Sequence, residues 1–132
     1  MKNMKTDSTD PCYNLAFEEY VLQNCKDDDY VLLWQNDNTI VFGVNQNPLE
    51  EINMDAAKEL GVNIVRRTTG GGAVYHDMGN LNFSYITDWD DGESSSYARF
   101  LEPITKAFAK IGLEVVMKGR NDLLLDGKKI SG

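Results

Sequence analysis

A chain of 132 residues and 14.9 kDa is the size of one ordinary domain, able to bury roughly two-thirds of the surface its unfolded form exposes, and it excludes a multidomain enzyme. With 42% hydrophobic residues, 26% charged residues and three prolines, it has the composition of a globular chain and not of a disordered one. Thirteen basic against 21 acidic side chains leave a net charge of -8, which argues against general affinity for nucleic acid or anionic lipid and confines any anion site to a local basic spot.

Residues 1–11 have no hydrophobic stretch after their lysines, so no secretory signal is predicted. Asp10-Pro11 reads as an N-cap followed by proline at the first helical position, and Tyr13, Phe17, Tyr20, Val21 and Asn24 continue a helix to Cys25. Cys12 and Cys25 are too few for a disulfide framework and are expected to be reduced packing residues of a cytoplasmic protein. Asp27-Asp28-Asp29 is a surface loop. The longest apolar run, Tyr30 to Trp34, is far short of the about 20 residues that span a bilayer. Residues 30–35 and 39–43 are strands, and Asn36-Asp37-Asn38 between them predicts a hairpin.

Asn53 caps a short helix to Leu60, closed by Gly61, and 62–67 alternates as a strand. Gly70-Gly71-Gly72 interrupts before strands at 73–76 and 81–87. A polar loop covers 88–96, and helical spacing over 94–111 stops at Gly112, with Pro103 expected to kink or restart the helix. A strand at 113–117 precedes a hairpin over 122–131 that turns at Asp126-Gly127, a dipeptide suited to a type I′ turn. The order predicts one α+β unit with a mixed, largely antiparallel sheet and packed helices.

Three of the four arginines, Arg66, Arg67 and Arg120, lie in the two stretches with the most unusual glycine placement. In Arg66-Arg67-Thr68-Thr69-Gly70-Gly71-Gly72-Ala73-Val74, successive N–H groups can turn toward one point without Cβ obstruction, making a nest for phosphate or carboxylate beside a fixed positive charge. The run lacks the Gly-Lys-Ser/Thr ending of a P-loop. A flexible glycine hairpin with solvated arginines is the plainer alternative. His76, the sole histidine, stands next to Asp77, a pattern more often structural than catalytic, and it offers no His-rich metal site or Cys-His pair. In the last hairpin, pairing outward from the turn places Leu125 opposite Lys128, Leu124 opposite Lys129, Leu123 opposite Ile130 and Asp122 opposite Ser131. Leu123, Leu125 and Ile130 then form the core face. Asp122, Leu124, Lys129 and Ser131 share the other, which makes Lys129 an inward cation and Lys128 the blander lysine.

The stretch 66–84, Arg66-Arg67-Thr68-Thr69-Gly70-Gly71-Gly72-Ala73-Val74-Tyr75-His76-Asp77 through Asn80 to Ser84, together with Gly119-Arg120-Asn121-Asp122 and Lys129-Ile130-Ser131-Gly132, closely resembles the lipoate-protein ligase family. Asp10-Pro11, 14–19, 33–36 and Gln46-Asn47-Pro48 extend the likeness over nearly the whole chain. The resemblance implies the biotin/lipoate ligase catalytic fold and ATP-dependent activation of lipoate to lipoyl-AMP. Transfer would follow, to a lysine on a lipoyl-carrier domain of a 2-oxoacid dehydrogenase or on the glycine cleavage H protein. It implies Lys129 as the catalytic lysine, holding phosphate and acyl carbonyl. Arg67, Thr69, Gly70, Gly71, Gly72, Ala73, His76 and Asn80 would border the lipoyl-adenylate, and Glu18 and Trp34 would shape the lipoyl tunnel. Asn121 and Asp122 would lie near the nucleotide, with Asp122 toward Mg²⁺.

Two departures from the family are expected. The family opens with a β-strand before the Asp-Pro helix, and residues 1–9 are too polar to predict one. Its catalytic domain also continues beyond the Lys129 motif, so residues 1–132 are expected to be the N-terminal portion of one such domain, incomplete and in need of a complementing C-terminal polypeptide. The competing readings are a lipoyl or octanoyl amidotransferase of the same fold, which works without ATP through a nucleophilic Cys or Lys, and a non-catalytic anion-binding fragment.

Overall fold

The computed structural model describes residues 1–88 and 97–132, in two compact units, Met1–Asp88 and Trp89–Gly132. Most of the predicted loop at 88–96 and the first residues of the helix predicted from 94 lie outside the described residues.

The first unit begins with a strand, β1 (Lys2–Lys5), where the polar sequence predicted none. It runs parallel to β2 (Tyr30–Trp34). An edge strand needs only its backbone to pair, and Met4 alone packs against the core beneath it. The helix α1 (Pro11–Asn24) starts as expected: the Asp10 carboxylate accepts from the Tyr13 N–H at 2.9 Å and Pro11 occupies the first turn. Of the residues whose spacing marked the helix, only Val21 is fully buried. Pro11, Asn14 and Val21 are buried, whereas Tyr13 and Tyr20 are exposed, with Tyr13 stacked on Phe17.

β2 and β3 (Thr39–Phe42) are both strands, but they do not form the predicted hairpin. β2 is the middle strand of β1-β2-β6, and β3 the middle strand of β4-β3-β5, with β4 (Asn63–Arg66), β5 (Val74–His76) and β6 (Asn82–Ile86). The connector explains the parting. A hairpin turn faces water, but Asn36 is fully buried, Asn38 has φ 43°, and Asp37 and Asn38 are tied by backbone bonds to Thr9 and Asn63. Between β3 and β4, Asn47 caps a short helix α2 (Pro48–Glu51) that the sequence reading missed, and Asn53 caps α3 (Met54–Glu59) as expected, with Gly61 at φ +63° after it. Val21, Tyr30, Leu32, Trp34 and Ile86 make one core, with Cys25 against it; Phe42, Ile52 and Ala57 make a second. Both cysteines are free, but Cys12 is exposed and so is not the packing residue expected.

In the second unit, α4 (Tyr97–Lys110) passes through Pro103 without a break and buries Leu101. Then come β7 (Val115–Lys118), β8 (Asp122–Leu125) and β9 (Lys128–Ser131), in the antiparallel order β7-β8-β9. Asp126 and Gly127, at φ 50° and 76°, make the positive-φ pair that a type I′ turn requires. Leu125 faces Lys128 and Leu124 faces Lys129 as predicted, but Leu123 then pairs with Ser131 and not with Ile130. The shift is a β-bulge. The extra residue in β9, Ile130, is left without a partner and is 43% exposed, so it is not part of the core face that Leu123 anchors. Four of the six strand pairings among the described residues are antiparallel.

Candidate functional site

The glycine loop leaves β4 at Arg67 and enters β5 at Val74. Arg67 is half-buried and folds back into the loop: Nε donates to the Gly70 carbonyl at 3.2 Å, Nη2 to Gly70 and Gly72 at 2.9 and 2.7 Å, and Nη1 to Val41 at 3.1 Å. The guanidinium is therefore largely occupied by backbone oxygens. With those carbonyls turned to the cation, the N–H groups of Gly70, Gly71 and Gly72 have no acceptor among the described residues. That is the polarity an anion nest needs.

Two glycines are required by close approach. Gly71 has φ +103°, and a Cβ on it would lie 2.7 Å from Arg67 Nη2; a Cβ on buried Gly43 would lie 2.2 Å from the Gly71 carbonyl oxygen. Gly43, at the end of β3, is a site residue that sequence reading missed, since a glycine ending a strand has many ordinary explanations. Arg66, though exposed, is engaged by backbone oxygens too. Its Nη1 donates to Val44 and Gln46 carbonyls at 2.7 and 3.0 Å and the guanidinium lies over Phe42, 4.3 Å from the ring centroid. Thr69 contributes its carbonyl, which accepts from Val44, and Ala73 is exposed. Thr68 reaches α1 through Glu19.

His76 ends β5 and is buried. It packs edge-on against Trp34 at 5.9 Å between centroids, and its Nδ1 lies 3.2 Å from the Asn36 amide nitrogen. Burial first, and the Arg67 charge second, push its pKa below the ordinary histidine value; burial likewise lowers that of Arg67. Trp34 donates from Nε1 to Ser84 Oγ at 3.0 Å, and Ser84 in turn donates to Glu18. Glu18 and Trp34 are thus joined through Ser84, a link that residue types alone did not suggest. Asn80 donates to Asn82 at 3.0 Å, leaving the buried amide nitrogen of Asn82 without a partner.

In the second unit Lys129 Nζ pairs with Asp122 Oδ1 at 2.9 Å, with side chains 58% and 41% exposed. The sharing of a face by these two is as predicted; the inward burial of Lys129 is not, for it lies over Gly132, where a Cβ would come within 2.5 Å of Nζ. Asn121 is half-buried just before β8. No group of three or more His, Cys, Asp or Glu among the described residues is arranged to hold a metal ion. Asp122 is a single carboxylate, which suits Mg²⁺ only when phosphate oxygens and water supply most of its ligands.

Residues 10–132 match the lipoyl protein ligase A/B catalytic domain family. Over 125 residues the chain is 49% identical to Lipoate-protein ligase LplJ of Bacillus subtilis (strain 168), a match that takes 93% of this chain and 38% of the relative. The chain thus spans well under half the length of that curated protein. Among solved structures, a bi-partite lipoate protein ligase from Thermoplasma acidophilum, described with its E2 lipoyl domain, superposes with a TM-score of 0.87 at 26% identity, over 97% of this chain and 52% of that one. A lipoate-protein ligase A bound with ATP gives 0.83 at 26% identity, over 98% and 57%.

Proposed function

The chain belongs to the lipoyl protein ligase A/B catalytic domain family, and on that premise we propose that it serves as a lipoate-protein ligase: ATP-dependent formation of lipoyl-AMP, then transfer to a lysine of a lipoyl-carrier domain. The observation that carries the reading is the clamp of Arg67 on the carbonyls of Gly70 and Gly72, which leaves the glycine amides free for an anion. In the first step a lipoate carboxylate oxygen attacks the α-phosphorus of ATP and pyrophosphate departs with the bonding electrons. In the second the neutral amine of the carrier lysine attacks the acyl carbonyl, AMP leaves with the bonding electrons of the acyl–phosphate bond, and the amine's proton passes to water. Both steps gather negative charge on phosphate, which fixed amide dipoles and a cation stabilise without reorganising.

Arg67 organises the loop from within; Lys129, exposed and held by Asp122, is the cation available to phosphate and acyl carbonyl. Asn121 and Asp122 lie toward the nucleotide, with Mg²⁺ arriving on it. Glu18, Trp34 and Ser84 form the polar-lined wall of the lipoyl tunnel, and Thr69, Ala73 and Asn80 border the acyl-adenylate. This reading makes residues 1–132 the N-terminal portion of one catalytic domain, with a complementing C-terminal polypeptide as partner where the rest is supplied separately. The lipoyl domains of 2-oxoacid dehydrogenase complexes and the glycine cleavage H protein are its acceptors. Two free cysteines and the use of ATP suit the cytoplasm, and among the described residues no helix is long and apolar enough to cross a membrane.

The test is lipoate-dependent exchange of labelled pyrophosphate into ATP, measured on the whole product of the gene encoding this chain. Exchange that needs lipoate supports the proposal. Lipoate binding with no exchange overturns it, and acyl transfer without ATP would place the protein with the amidotransferases.

A further inference from the structure

His76 stands at the inner end of a buried amide chain that the ligase reading leaves unexplained. Asn14 Nδ2 lies 3.0 Å from the Ser8 carbonyl, 2.8 Å from the Gln35 carbonyl and 2.9 Å from Asn36 Oδ1. Two backbone carbonyls converging on one atom fix which end of the Asn14 amide it is, because the flipped orientation would set its oxygen against both of them. Asn36 must then present its oxygen to Asn14 and its NH₂ to His76 Nδ1. An NH₂ group only donates, so Nδ1 must offer a lone pair and the neutral ring must carry its proton on Nε2. Asn14 is 1% exposed, Asn36 0% and His76 8%, so water does not compete for these bonds. An imidazolium would point an N–H at the Asn36 NH₂, a repulsion added to the cost of burying charge near Arg67.

We infer that Asn14 and Asn36 are positioning residues that lock His76 as the Nε2–H tautomer, making it a fixed hydrogen-bond donor to an oxygen of the acyl substrate and excluding it as a general base. Nε2 has no acceptor among the described residues. The donor half rests on the proposed ligase reading; the tautomer half does not.

In the whole product of the gene encoding this chain, labelled with ¹⁵N-histidine and carrying a histidine-free purification tag, a long-range proton–nitrogen correlation spectrum reports His76 as the ring signals that vanish in His76→Gln. At neutral pH the wild type should show one species, with Nδ1 unprotonated and Nε2 protonated. Asn36→Asp, which replaces the donor by a carboxylate acceptor, should transfer the proton to Nδ1 or produce an imidazolium; a merely space-filling Asn36 would leave the spectrum unchanged. A protonated Nδ1, a tautomer mixture or an imidazolium in the wild type overturns the inference, and that spectrum decides it even if the variant fails to fold. Lipoate, titrated with binding followed separately by equilibrium dialysis, should shift the Nε2 signal. Binding without that shift overturns the donor role, whereas absence of binding counts against the ligase reading and leaves the tautomer decided by the spectrum.

Discussion

Gly43 lies under Gly71 so closely that a β-carbon on the former would meet the carbonyl oxygen of the latter at 2.2 Å. The oxygen is backbone and the loop that bears it is clamped by Arg67, so neither side can yield cheaply. Gly43→Ala should therefore displace the loop, destabilise the fold by about 1–3 kcal/mol, the usual scale for overpacking, and reduce lipoate affinity at least about tenfold, since amide nests act through placement. Gly70→Ala is the matched comparison: its Cβ would meet nothing within 4 Å. Urea unfolding and equilibrium dialysis read the two effects; equal behaviour of the two variants would refute the docking role of Gly43.

Arg67→Lys should fail almost as completely as Arg67→Ala. One ammonium cannot reproduce a planar fork reaching the carbonyls of Val41, Gly70 and Gly72. Either change should weaken substrate binding by roughly 1–3 kcal/mol, the scale of charge-assisted hydrogen bonds. Arg66 makes a poor control, because it holds the carbonyls of Val44 and Gln46. Full binding by Arg67→Lys would show that charge alone suffices there.

Lys129→Ala should abolish pyrophosphate exchange by the whole gene product with little effect on stability. Its partner is Asp122 and both side chains are substantially exposed, so the pair contributes no more than about 1 kcal/mol. Unchanged exchange would remove Lys129 from the chemistry, and a collapse in unfolding midpoint would make it a structural residue instead.

Stability should fall on acidification in two windows. His76 is held below its ordinary value of 6.5 by burial and by Arg67, so beneath pH 6.5 the unfolded chain takes up a proton that the folded chain refuses, and stability declines until folded His76 protonates. Asp27, hydrogen-bonded by Lys2 and then Tyr30, is lowered from 3.8 to about 2, so its contribution is complete above pH 3.8 and is lost as the pH falls toward 2. Thermal melts across these ranges check both. In Asp27→Asn the lower window should shrink while the upper one persists.

The sequence by itself determined features whose causes are local. Asp10-Pro11 and Asn53 cap helices because a side-chain oxygen can reach an N–H two or three residues on, and Asp126-Gly127 turns a hairpin because both residues tolerate positive φ. The glycine run beside Arg67 and the Lys129 motif were legible for the same reason: a rare composition in a short span. Tertiary structure alone decided what depends on residues distant in the chain. β2 and β3 part into different sheets because β1, β6, β4 and β5 take their edges and Asn36 is drawn inward by Asn14 and His76. A single residue, Ile130, bulges from β9 and shifts a register that turn chemistry had set correctly at Leu125 and Lys128. Whether Arg67 meets a ligand or its own loop depends on carbonyl directions, and Ser84 joins Trp34 to Glu18 across 50 and 66 residues. Hydrogen-bond donors and acceptors are assigned by three-dimensional proximity, which no periodicity in the sequence encodes.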